Sequence, residues 1–266
     1  MLAITGLAAG VLGGLLGVGG SVIMIPAMAV IFSAVGSPHS IHQYQAAAMI
    51  VSFVLVWPAV LRHRRARAIR VDVWKLLAPA ALVGIVGGVL LSRAGLFTGD
   101  NELVLRRVFG LFMLYVAAYN TWKIARPARR VMDSERPASP NSKATLAVGA
   151  AMGVSAGLLG IGGGALAVPA QQVILRLPLR NAIATSAATI AAITWLGAIV
   201  KNASLGADGT VARSLLLTAA LAPTAMAGSY VGGHLTHRLP VRWVRAAFVV
   251  LMLVAGVKML TWTAGV

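Results

Sequence analysis

The chain has 266 residues, of which 59% are hydrophobic and only 11% charged; a soluble domain carries about a quarter charged residues, so lipid must cover much of this surface. The formal net charge of +17 could suggest nucleic acid, but the Lys and Arg residues fall between apolar runs, and no soluble domain is left to bind a polyanion. The absence of cysteine removes disulfides and thiol chemistry.

Residues 1–61 contain no Asp, Glu, Lys or Arg. Residues 1–30 lack the basic start of a signal peptide and their apolar character continues beyond residue 30, so they are expected to be structure. The first predicted element covers 3–33. Near its middle lies Gly17-Val-Gly-Gly-Ser21, followed by Pro26. Helix interiors disfavour glycine by about 1 kcal/mol each relative to Ala, so this run predicts a break. After a Gly/Ser/Pro/His loop at 33–43, further elements are predicted at 43–61, 75–92 and 103–122. Residues 123–143, rich in Arg, Pro and Ser, read as a basic cytoplasmic linker. A second series follows at 144–175, 181–201, 213–235 and 241–262, its first element interrupted by Gly160-Ile-Gly-Gly-Gly164 before Pro169.

The two series correspond. Gly10 to Pro26 aligns with Gly153 to Pro169 at an offset of 143, Trp57 with Trp195 at 138, and Pro79, Gly84 and Gly88 with Pro223, Gly228 and Gly232 at 144. The expected fold is therefore an all-α polytopic membrane protein with two transmembrane repeats, 1–122 and 144–266, each of four helical elements with the first broken at its glycine-rich segment. The pairs Gly6/Gly10, Gly13/Gly17, Gly84/Gly88, Gly153/Gly157 and Gly228/Gly232 are expected to let helices approach closely.

A break at membrane depth frees backbone groups that lipid cannot satisfy, so it must line a polar cavity or be buried in protein. Each second half-helix presents its N-terminus there, a site for an anion without any charged side chain. Broken helices at matching places in two repeats point to a transporter's substrate site. The candidate groups are the backbones of Gly17, Gly19, Gly20 and Ser21 and of Gly160, Gly162, Gly163 and Gly164, with Gln43, Gln45, Asn181, Thr185, Ser186 and Thr189 at the starts of the second elements. Trp57 and Trp195 are expected in an interfacial belt, the alternative being a cavity wall.

Counting Lys and Arg distinguishes two arrangements. If every element spans, 15 lie on the side of the 62–75 loop and 8 opposite; if each broken element is re-entrant, the repeats are inverted and the counts become 17 and 6. The positive-inside rule favours inversion.

These residues resemble the TauE/SafE sulfite exporter-like family, also called the toluene sulfonate uptake permease family. The resemblance rests on the duplicated Gly-x-x-x-Gly-Leu-Leu-Gly-[Val/Ile]-Gly-Gly…Pro segments, on Asn181-Ala-Ile-Ala-Thr-Ser186 and on the duplicated helical unit, and covers essentially the whole chain. It implies transport of sulfite, an organosulfonate such as sulfoacetate, or a related oxyanion. The first repeat departs from it, reading Gln43-Tyr-Gln-Ala-Ala-Ala48 where the second carries hydroxyls.

All six acids fall in predicted loops or at helix ends, so no mid-membrane carboxylate is expected to relay protons or hold a cation. His39, His42, His234 and His237 are expected in loops or at the interface, Lys258 snorkels, and neither a metal nor a cofactor is called for. No catalytic arrangement can be assembled. The expectation is a multi-pass protein of the cell inner membrane whose partners are a small anionic substrate and the lipid bilayer, with a homodimer allowed. A passive anion channel and a non-transporting scaffold are the competing readings.

Overall fold

The structure, a computed structural model, describes residues 2–16, 19–37, 39–95, 97, 101–125, 141–235 and 241–261. These residues form ten α-helices and no strand. In lipid the helix satisfies its own backbone, which is why so apolar a chain takes this form. The N-terminal half holds α1 (Leu2–Leu16), α2 (Ser21–Ala34), α3 (Ile41–Arg65), α4 (Val71–Ser92) and α5 (Glu102–Ala125). The C-terminal half holds α6 (Ser142–Leu159), α7 (Gly164–Val173), α8 (Leu179–Ala203), α9 (Val211–Leu235) and α10 (Val241–Thr261). Among the described residues, six helices are long and apolar enough to cross a membrane: α3, α4, α5, α6, α8 and α9. Gly17 and most of the 123–143 segment lie outside the described residues.

Both long first elements are interrupted, and the chain doubles back at each interruption. A Cβ on Gly20 would lie 3.2 Å from the carbonyl oxygen of Ala9, and one on Gly163 would lie 2.9 Å from that of Met152. Along one straight helix such a sequence separation would span about 16 Å. The glycine runs therefore turn the chain into helical hairpins, α1–α2 and α6–α7, and the contact is the same in both.

Each hairpin packs against a helix from the other half of the chain. Helix α1 runs beside α9 and α6 beside α4. Along the α4–α6 seam, a Cβ on Gly84 would strike the Ala150 carbonyl and one on Gly88 that of Val154, while Gly153 faces the carbonyl of Ala81 and Gly157 that of Ile85. The α1–α9 seam repeats this with Gly10 on Ala225, Gly228 on Leu7 and Gly232 on Val11. Lipid tails are as apolar as Leu, so close backbone approach rather than burial drives such contacts, and only glycine permits it.

The centre is the α3–α8 pair. His42 meets Lys201, the Ala46 carbonyl accepts from Asn202, and Met49 abuts Gly197, so the start of α3 lies beside the end of α8 and the two helices run antiparallel. At the other end, Asn181 donates to the Ala68 carbonyl at 2.8 Å, tying the start of α8 to the basic loop that follows α3. Two buried apolar clusters flank this pair, one joining α2, α3, α5 and α10, the other α4, α6, α7 and α8.

Candidate functional site

The second break is shaped by three left-handed glycines, Gly160 (φ +70°), Gly162 (φ +66°) and Gly163 (φ +80°), and the first by Gly19 (φ +86°). A side chain in that region costs about 1–2 kcal/mol, so the turn requires glycine. Gly160 ends α6 and Gly163 caps α7; Gly164 and Ser21 open the second half-helices.

The two turns meet. A Cβ on Gly19 would sit 3.9 Å from the carbonyl oxygen of Ile161, a residue with no solvent exposure. Gly162 faces Ser52, Ile190 and Thr194, with its ideal Cβ position 3.8 Å from the Ser52 Cβ and 3.5 Å from the Ile190 and Thr194 methyls. Ser52 lies near the midpoint of α3, and Ile190 and Thr194 near that of α8, so the breaks face each other halfway along the bundle.

Polar groups without partners collect here. Ser21 (0% exposed) and Ser52 (2% exposed) each carry a hydroxyl with no hydrogen-bond partner, and the Gln45 Oε1 has none either. Leaving a buried polar group unpaired costs about 1–3 kcal/mol, so such groups are uncommon in a packed interior. Gln45 donates through Nε2 to the Leu158 carbonyl at 3.3 Å and presses against Gly160, holding the end of α6. In α2 the amides of Ile23 and Met24 both turn back to the Gly20 carbonyl at 3.0 Å. The amides of Ser21 and Val22 stand at the first turn, where a helix has no internal acceptor to offer. No charged side chain is among these groups. The first turns of α2 and α7 each present a helix N-terminus here, the positive end of the helix dipole.

The remaining candidates lie elsewhere. Asn181 holds the loop after α3, Thr185 accepts from the Arg70 amide at 3.1 Å, and Ser186 accepts from Gln171 Nε2 at 2.7 Å. All three serve the first two turns of α8, toward the basic end. Thr189 donates to the Thr185 carbonyl within its own helix. Gln43 bridges to α9, donating to Ser214 Oγ at 2.6 Å and accepting from the Thr210 amide at 2.8 Å. Trp57 (44% exposed) and Trp195 (45% exposed) look outward, so neither walls the break. His42, expected in a loop or at the interface, is fully buried in the first turn of α3. Ser52 and Thr194 gave no signal in the sequence: single hydroxyls inside apolar runs acquire meaning only from what faces them. A hollow of about 500 Å³ between α5 and the α6–α7 hairpin, walled by Tyr115, Ala147, Pro169 and Val173, lies away from this place.

Comparison with known proteins agrees with this architecture. The family described as Sulfite exporter TauE/SafE matches residues 2–259. The probable membrane transporter protein MamO of Magnetospirillum gryphiswaldense is 29% identical over 98% of this chain and 44% of its own length. The probable membrane transporter protein YunE of Bacillus subtilis is 23% identical over 98% of this chain and 96% of its own. The probable membrane transporter protein MJ0441 of Methanocaldococcus jannaschii is 25% identical over 79% of this chain and 74% of its own. The chain thus spans less than half the length of the MamO proteins it matches. No solved structure matches. The chain belongs to the Sulfite exporter TauE/SafE family and is a multi-pass membrane protein.

Proposed function

We propose that this member of the TauE/SafE family is a secondary carrier that moves a small sulfur-containing anion, sulfite or an organosulfonate such as sulfoacetate, across the inner membrane. The observation that carries the reading is the meeting of two glycine turns at mid-bundle beside the unpartnered hydroxyls of Ser21 and Ser52. Neutral donors suit an oxyanion that must be released as well as bound. Helix-end amides supply attraction without a counter-ion that would hold it too tightly.

The antiparallel course of α3 and α8, corresponding helices of the two repeats, supports repeats inserted in opposite senses. The 62–75 loop and the 123–143 linker then lie on the cytoplasmic side, with their excess of Lys and Arg. Alternating access follows if the hairpins rock against the seams while the mid-bundle turns stay between them.

The test is a thermal-shift series on the purified full chain with sulfite, thiosulfate, sulfate, taurine, sulfoacetate and matched carboxylates, followed by counterflow of labelled sulfite in liposomes. Stabilisation by sulfur oxyanions with saturable counterflow is expected. Stabilisation by carboxylates alone would overturn the substrate class. Single-channel currents would replace the carrier by a pore, and no response to any anion would leave a scaffold.

A further inference from the structure

One buried cation is unused by this reading. Lys201, in the last turn of α8, has no solvent exposure and reaches no carboxylate within ion-pair distance among the described residues. Its ammonium donates to Ser92 Oγ at 2.7 Å and contacts His42 Nδ1 at 3.1 Å. The far ring nitrogen, Nε2 of His42, lies 3.0 Å from the Phe97 carbonyl. A carbonyl has no proton to give, so Nε2 carries the hydrogen, and Nδ1 of the neutral ring is left with a lone pair for the lysine. Besides Lys201, the charges that reach His42 are Asp208 and Arg93, already joined to each other as an ion pair. Helix α2, which also packs on α3, offers no titratable side chain.

We propose that His42 and Lys201 form a proton-binding site that couples protons to the transport cycle by holding the Arg93/Asp208 end of the bundle shut. This rests on the carrier reading. The contact joins the two repeats, since α3 belongs to one and α8 to the other. It exists only while Nδ1 is bare. A proton arriving at Nδ1 converts the acceptor into a donor and sets two positive groups face to face in a place without water. The two helix ends must then part, so the open form binds that proton more tightly than the closed form. Acid on this side accordingly shifts the population toward open.

The opposite end of the same helix pair carries the corresponding residues with the roles exchanged. At the offset of 138, His42 corresponds to Arg180 and His63 to Lys201. His63 feels the charge of Arg180, but it is only half-buried and Arg180 is exposed. Each end of the α3–α8 pair thus has one histidine and one cation from opposite repeats. The Lys201 end is the sealed one in this structure.

The test uses the natural absence of cysteine. Ala46→Cys, buried one turn from His42, is reconstituted in liposomes and labelled with a membrane-impermeant maleimide, the thiol's own pH dependence being corrected with a free-thiol standard. Between pH 7.5 and 5.5, where an ordinary histidine titrates, corrected labelling is expected to rise about fivefold. It should lose that rise in His42→Gln, whose amide keeps both contacts but binds no proton. His39→Gln should retain the rise. Should Ala46→Cys misfold, Ala198→Cys on α8 reads the same opening. Sulfite uptake by the wild-type chain is measured in parallel, with and without an imposed proton gradient and with the membrane potential clamped. Uptake without gradient dependence, or acid-driven labelling that survives in His42→Gln, would overturn the proton site and leave the carrier reading standing. Acid-driven labelling that depends on His42 but occurs without any sulfite flux would do the reverse.

Discussion

The two glycine turns are alike in backbone and unlike in side chains. Gly20 stands to Ala9 as Gly163 stands to Met152, and the seams that clasp the two hairpins use glycines at corresponding positions. The unpartnered hydroxyls and amide oxygen beside the turns, of Ser21, Ser52 and Gln45, all lie in the N-terminal half, whereas Thr194 of α8 turns a methyl to Gly162 and donates its hydroxyl to the Ile190 carbonyl. Ser21 corresponds to Gly164, Gln45 to Ile183 and Ser52 to Ile190. The two hairpins share a backbone arrangement, and the unpartnered polar atoms beside them come from one half of the chain.

The largest expected effect tests the likeness. Gly10→Leu and Gly153→Leu each drive a side chain into the facing backbone, at Ala225 and Ala81. Each should cost about 3 kcal/mol or more, because a carbonyl on a packed helix cannot step aside. Matching losses of thermal stability in detergent would uphold the equivalence of the seams; tolerance at one seam alone would break it.

A smaller effect separates the turns. Gly163→Ala combines a left-handed φ with a contact of 2.9 Å on the Met152 oxygen, and should cost about 2 kcal/mol. Gly20 has φ −76° and meets chiefly the movable tips of Met24 and Leu55, so Gly20→Ala should cost about 1 kcal/mol or less. Melting temperatures of the two variants check the order.

Ser52→Ala and Ser21→Ala probe the difference in chemistry. Neither hydroxyl has a partner to lose, so stability should hold or rise slightly. The sulfite-induced thermal shift should report roughly five- to tenfold weaker binding, about 1 kcal/mol per hydrogen bond. Ile190→Val, at the counterpart of Ser52, should cost about 1 kcal/mol of packing and leave affinity unchanged. Weaker binding in the valine variant with none in the serine variants would reverse the assignment of roles.

The smallest effects concern two ion pairs at opposite ends. Arg93–Asp208 is largely sheltered, its side chains 23% and 17% exposed, while Asp72 in Arg70–Asp72 is 44% exposed. Asp208→Asn should cost about 1 kcal/mol and Asp72→Asn less than about 0.5 kcal/mol in denaturation at low salt. Equal costs would mean that the two ends are equally wet.

Much of the fold was legible in residue order. The apolar runs between basic loops announce membrane helices, and Gly17 to Ser21 and Gly160 to Gly164 mark the interruptions, because glycine penalties act locally and add along the chain. The glycine pairs were legible as packing positions but not as partners. That Gly84 meets Ala150 while Gly228 meets Leu7 depends on which helices lie together. Of the candidate groups, those of the turns could be named beforehand. Asn181, Thr185 and Ser186 share the start of one helix in sequence, yet their hydrogen bonds go to the Arg70 loop and to Gln171 rather than to the turns. Their polarity was visible and their direction was not.

Residue order alone therefore settles the membrane class and the places where helix must fail, since hydropathy and glycine strain are properties of short stretches. Tertiary structure decides that the two failures face each other, that Ser21 and Ser52 go unpartnered, and that Lys201, an ordinary end-of-helix cation in sequence, is sealed against His42. These are relations between residues far apart in the chain. Their energies come from burial and from hydrogen bonds made or withheld across helices, and no local pattern encodes them.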